Sequence, residues 1–178
     1  MPEKFPETEA YGEEMILAVG VLTLRAAHLE DYWVFVIEAI TGMDQMQARD
    51  LCYAGRNSGA RLDVVQALLR SSTRLSDARK EHAMGLINEA RKLATQRNKL
   101  VHGQFMISTT GGEVPTQTPV LTHWEPLKKE AAKSRPIDGK EIAELADAYE
   151  EMRLKLWHLY CAVRYPRQPG APTHGIPD

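Results

Sequence analysis

The sequence predicts an all-α fold: a bundle of about five helices, with a small β-hairpin or extended insertion between the last two long helices. Three observations predict it. Apolar residues recur at a 3.6-residue period over stretches much longer than strands run. The breaks between those stretches are Gly, Ser, Thr and Pro clusters, not the strand–helix alternation of a parallel sheet. Only 104–136 loses the helical period and takes on strand formers around a Gly111-Gly112 turn signal.

In chain order, residues 1–10 carry Pro2, Pro6 and several glutamates and are expected to be flexible. A long helix is predicted over 13–40. Its stripe is Met15, Ile16, Val19, Leu22, Ala26, Leu29, Trp33, Val36, Ile37 and Ile40, widened by Leu17, Val21, Leu24, Tyr32 and Phe35. A helix so apolar is expected to be buried on two sides, at the centre of a bundle or in a subunit interface. Thr41-Gly42 ends it. A short helix over 44–53 follows, then a loop over 55–59 and a helix over 60–70 that Ser71-Ser72-Thr73 breaks. Ser76 or Asp77 caps the next helix, which runs to about 102 and stops at Gly103. Strands are expected at 105–109 and 120–124, with Pro115 and Pro119 favouring a ragged edge. Asp138 caps a last helix over 139–165. The Pro- and Gly-bearing tail, 166–178, is expected to be disordered. The layout is therefore one helical domain over 11–165, interrupted by the 103–136 insertion.

Net charge is −2, from 22 basic and 24 acidic residues, so the whole chain does not attract nucleic acid. The distribution is more informative. Residues 1–50 hold ten acidic and three basic side chains, whereas 56–102 hold ten basic and four acidic ones. The basic half suits an acidic ligand, with Arg91, Lys92 and Lys99 as candidate RNA-binding residues at its end. Cys52 and Cys161 stand in no metal-binding or redox spacing and read as free, buried thiols. No metal or cofactor is implied. The acidic, proline-bearing N-terminus is unlike a secretory leader, and the apolar run 15–24 is too short for a bilayer span. The expected location is the cytoplasm, with no membrane partner.

The basic half ends on Thr95-Gln96-Arg97-Asn98-Lys99-Leu100-Val101-His102-Gly103. On a regular helix Arg97 and His102 are about 7.5 Å apart along the axis and about 140° apart around it. Asn98 and His102, four apart, share a face, so the amide can orient the imidazole or hold a phosphate oxygen beside it. Arg97 has the reach to join them. Two such segments facing each other across a homodimer would form a cleft with two guanidinium groups and two imidazoles. That cleft suits RNA cleavage without metal: His102 moves protons near neutral pH, and Arg97 stabilises charge on the phosphoryl oxygens. The spacing alone is weak, since Arg153/His158 and Arg167/His174 also satisfy it. Only Arg97 is followed by a polar amide, ends a helix and lies in the basic half. The same residues also suit a plain helix end, with Arg97 and His102 on the last carbonyls and Gly103 after them.

Arg97-Asn98-Lys99-Leu100-Val101-His102 resembles the Rx4–6H signature of the HEPN superfamily, in which the residue after the arginine is often asparagine. The helical order is similar too, with a long first helix whose middle is apolar and acidic (Leu29-Glu30-Asp31-Tyr32-Trp33). The resemblance implies a helical bundle dimerising through the motif-bearing helices. It implies metal-independent endoribonuclease activity in a prokaryotic toxin–antitoxin or antiviral defence system, with an antitoxin or defence protein as a possible partner. It implies Arg97 and His102 as the catalytic pair and Asn98 as their support. Gln104 stands where family toxins controlled by a nucleotidyltransferase carry tyrosine, so that control is not implied. Other family members are inactive and serve as interaction modules, which is the alternative for this chain.

Overall fold

A computed structural model describes residues 11–101, 104–110, 116–123, 133–166 and 175–177. Among them are five helices: α1 (Glu13–Thr41), α2 (Gln45–Tyr53), α3 (Ser58–Ser71), α4 (Asp77–Val101) and α5 (Gly139–Arg164). Strands β1 (Gln104–Thr110), β2 (Thr116–His123) and β3 (Lys133–Pro136) lie between α4 and α5. The all-α class follows, with the insertion forming a small sheet.

Helix ends have identifiable chemical causes. Gly42, at a φ of 79°, takes the left-handed position after α1 that side chains resist. Asp44 caps α2 by accepting from the Gln47 N–H, and Asp138 caps α5 by accepting from the Glu141 N–H. Asn57 accepts from the Ala60 N–H, so α3 begins at Ser58 and takes in two residues that the sequence assigns to a loop.

The chain forms two compact units. The first comprises residues 1–23 and 95–147. Its buried side chains include Met15, Ala18 and Leu22 of α1, Leu100 of α4, Leu121 of β2, and Ile137, Ile142 and Ala146. A Cβ at Gly139 would lie 3.3 Å from the Met15 nitrogen, so the start of α5 passes close to the start of α1. The sheet is antiparallel with order β1-β2-β3 and pairs Ile107 with Pro119 and Val120 with Pro136.

The sequence places Pro119 at a ragged edge, yet it lies in the central strand. The register explains why this is tolerated. The Pro119 carbonyl accepts from the Ile137 N–H just past the end of β3. Its nitrogen faces the same side, so the missing donor forfeits one bond where that ladder is already ending. β3 itself was not foreseen, because Lys133-Ser134-Arg135-Pro136 has no apolar alternation. The Arg135 guanidinium forms a two-pronged ion pair with Glu141.

The second unit comprises 24–94 and 148–178. Here α1 is buried on more than one side: Trp33, Val34, Val36, Ile37, Ala39 and Ile40 are all at most 4% exposed. Also buried in this unit are Ala48 and Cys52 of α2, Leu62, Val65 and Leu69 of α3, Leu86 and Ile87 of α4, and Met152, Leu156 and Leu159 of α5, while Ala39 packs with Tyr160 and Cys161. The Ser72 hydroxyl donates to the Ile40 carbonyl, fixing the break after α3. Of the tail, Gly175 to Pro177 are described, and the Pro177 carbonyl accepts from Arg79 Nε at 2.9 Å.

Candidate active site

Asn98 and Lys99 stand in the last turn of α4 and Arg97 just before it, in the first unit. Leu100 anchors that turn at 6% exposure, while Asn98, Lys99 and Val101 face solvent. Arg97 is half-buried. Among the described residues its guanidinium has no hydrogen bond or ion pair, so its five donors remain available to an anion. His102 and Gly103 lie outside the described residues, between the end of α4 at Val101 and the start of β1 at Gln104. The candidate catalytic set is therefore described for Arg97 and Asn98.

The other predicted contacts differ from one another. Lys92 is exposed. Arg91 is held: its Nη2 donates to Asp63 at 2.6 Å and to Gln66 at 2.9 Å. A phosphate would have to compete with that carboxylate. Arg91 and Lys92 belong to the second unit, and Lys99 to the first.

The second arginine–histidine pair has a different character. Arg153 donates Nε and Nη2 to the two Glu150 carboxylate oxygens at 2.8 and 2.5 Å, and Nη1 to the Tyr32 hydroxyl at 2.5 Å. Its guanidinium also lies 4.9 Å from the centre of the Tyr32 ring. The paired Arg153 holds the Glu150 carboxyl below its ordinary pKa, and Glu150 raises that of Arg153. Each of its three nitrogens already donates within α1 and α5, so an anion would have to compete with Glu150 and Tyr32 for it.

Glu30 and Asp31 of α1 also serve the fold. Glu30 accepts from the Ser58 hydroxyl at 2.5 Å and pairs with Arg61. Arg61 further donates to the Gly55 carbonyl and lies 4.3 Å from the centre of the Tyr53 ring. The Tyr53 hydroxyl donates to Asp31 at 2.8 Å. Burial, aided by that bond, raises the Tyr53 pKa. Burial pushes the neighbouring Cys52 thiol up to about 11, so it stays protonated and inert. Sequence reasoning missed this network. Its trace in the sequence is the acidic pair Glu30-Asp31 between Leu29 and Tyr32.

Comparisons with known protein families, with characterised proteins and with solved structures give no match. Among the described residues, no helix is long and apolar enough to cross a membrane, and no cluster of His, Cys, Asp and Glu could hold a metal ion.

Proposed function

We propose that this chain is a metal-independent endoribonuclease of the HEPN type, working as a homodimer in the cytoplasm within a toxin–antitoxin or antiviral defence system. The supporting observation is the contrast between its two helical arginine–histidine pairs. Arg97 closes a helix with its guanidinium unpaired among the described residues, whereas Arg153 is consumed by Glu150 and Tyr32.

In this reading one His102 imidazole takes the proton from a ribose 2′-OH. The 2′-oxygen bonds to the adjacent phosphorus, and the bond from phosphorus to the 5′-oxygen breaks. The partner's imidazolium returns a proton to the leaving oxygen. Arg97 stabilises the charge that builds on the non-bridging oxygens, and Asn98 orients the imidazole or the phosphate. The products are a 2′,3′-cyclic phosphate and a 5′-hydroxyl. Incubating the protein with RNA in EDTA tests the reading. Cleavage with those ends is expected from wild type, and none from Arg97→Ala or His102→Ala. Equal cleavage by all three, or by none, overturns it.

One observation favours a second reading, a helical interaction module without catalysis. On α1, Leu17 is 68% exposed and Leu24 57%, seven residues apart and so on one face. If Leu17→Glu abolishes dimerisation while RNA stays intact with every form of the protein, the module reading stands.

A further inference from the structure

Between α1 and α2, wholly within the second unit, lies a groove of about 380 Å³. That volume is at the lower end of the range for small-molecule sites. Beside His28, Val34 and Gln45, its lining holds three kinds of group. Tyr32 and Phe35 offer ring surface, their centroids 5.5 Å apart and their planes at 80°. They are held in place: Arg153 bonds the Tyr32 hydroxyl and lies over one face of its ring, Trp157 meets Tyr32 edge-on at 6.3 Å, and Tyr160 packs against Phe35 at 5.6 Å. From α2, Met46 adds a soft thioether that is 67% exposed. Asp31 and Arg49 supply opposite charges.

Those two charges do not neutralise each other. Asp31 is oriented by the Tyr53 hydroxyl on one oxygen and keeps further acceptor capacity on both. Arg49 is exposed, lies 5.6 Å from the centre of the Tyr53 ring, and has no ion pair among the described residues. A simple anion would meet Asp31, and a simple cation would meet Arg49. The complementary ligand is flat and aromatic, donates hydrogen bonds at one edge, and carries negative charge at the other end.

We propose that this groove binds a guanine nucleotide. The base lies on the Tyr32–Phe35 surface under the Met46 thioether. Its adjacent N1–H and N2–H donors face the Asp31 carboxylate, and its phosphate meets Arg49. Guanine is favoured over adenine because only guanine presents two neighbouring donors to two carboxylate oxygens. The nucleotide is either free or one unit of a single-stranded RNA. The site is independent of the nuclease reading.

Calorimetric titration of the full chain with 5′-GMP, 5′-AMP, 5′-UMP and guanosine tests the proposal. GMP is expected to bind most tightly. Asp31→Asn is expected to weaken GMP by about tenfold or more, the value of a bidentate contact. Arg49→Gln is expected to reduce GMP to the affinity of guanosine. Met46→Glu, a change at a largely exposed position, is expected to weaken both. A short RNA with one guanosine distinguishes the sources. Affinity equal to GMP indicates a free nucleotide, and tighter, salt-sensitive binding that Asp31→Asn abolishes indicates a strand. No binding of GMP at millimolar concentration overturns the proposal, as does GMP binding unchanged in Asp31→Asn and Arg49→Gln.

Discussion

Two stretches of this chain carry an arginine on a helix followed five residues later by a histidine, and they differ in what surrounds the arginine. Arg153 lies mid-way along α5, where Glu150 stands one turn back and Tyr32 reaches it from α1. Arg97 lies near the end of α4, with exposed polar neighbours and no ion pair among the described residues. A guanidinium ringed by acceptors is a brace; one unpaired beside solvent is not committed to that task. Spacing does not separate them, and surroundings do.

The sharpest way to break this comparison is catalytic. Arg97→Ala is expected to lower RNA cleavage by about 10²–10³-fold. His102→Ala is expected to lower it by about 10²–10⁴-fold. Thermal melting of Arg97→Ala should stay close to wild type, since no described partner loses a bond. If cleavage survives Arg97→Ala and falls instead with Arg153→Ala, the roles assigned here are reversed.

Stability supplies the next largest effect. Arg153→Ala removes a two-pronged ion pair, a bond to Tyr32 and a ring contact. The loss is expected to be about 1–2 kcal/mol in urea unfolding, reduced from the buried-pair range because the side chain is 22% exposed. Cleavage per folded molecule should not change.

The Glu150 half of that pair gives a pH signature. Its carboxyl pKa is lowered in the folded protein, by Arg153 first of all. The unfolded chain therefore binds the proton more tightly, and the stabilisation is complete above the ordinary value of 4.5. It is lost as pH falls through the lower folded-state value. Glu150→Gln should be less stable than wild type at neutral pH, and the gap should close on acidification below 4.5. A gap that stays constant with pH would show that the pair does not titrate with folding.

The smallest effect concerns Arg91, between the two extremes because it is paired but near the surface. Arg91→Gln breaks the Asp63 pair and should cost less than about 1 kcal/mol. If the arginine leaves Asp63 for RNA, the same change lowers the salt dependence of RNA binding by about one counterion. An unchanged salt slope keeps Arg91 as a brace only.

The helices were readable from local chemistry. Apolar period, Asp138 as a cap and Gly42 as a stop each act within a turn or two of chain, so α1, α4 and α5 emerge with nearly their observed ends. The start of α3 shifted because one amide, Asn57, captured the Ala60 N–H two residues earlier than the apolar stripe implied. β3 was hidden because its pairing depends on the β2 backbone and not on its own side chains.

The site divides in the same way. Arg97 and Asn98 were identifiable because the motif is contiguous and ends a helix. The sequence by itself determined the helical class, the capped ends and the presence of a cation at the close of α4, since all are set by neighbours along the chain. Only the tertiary structure decided that Arg153 is tied to Tyr32, that Glu30 is tied to Ser58 and Arg61, and that Asp31 and Arg49 line one groove unpaired with each other. Those outcomes depend on residues far apart in sequence meeting in space, and a charged side chain takes its role from the group it meets.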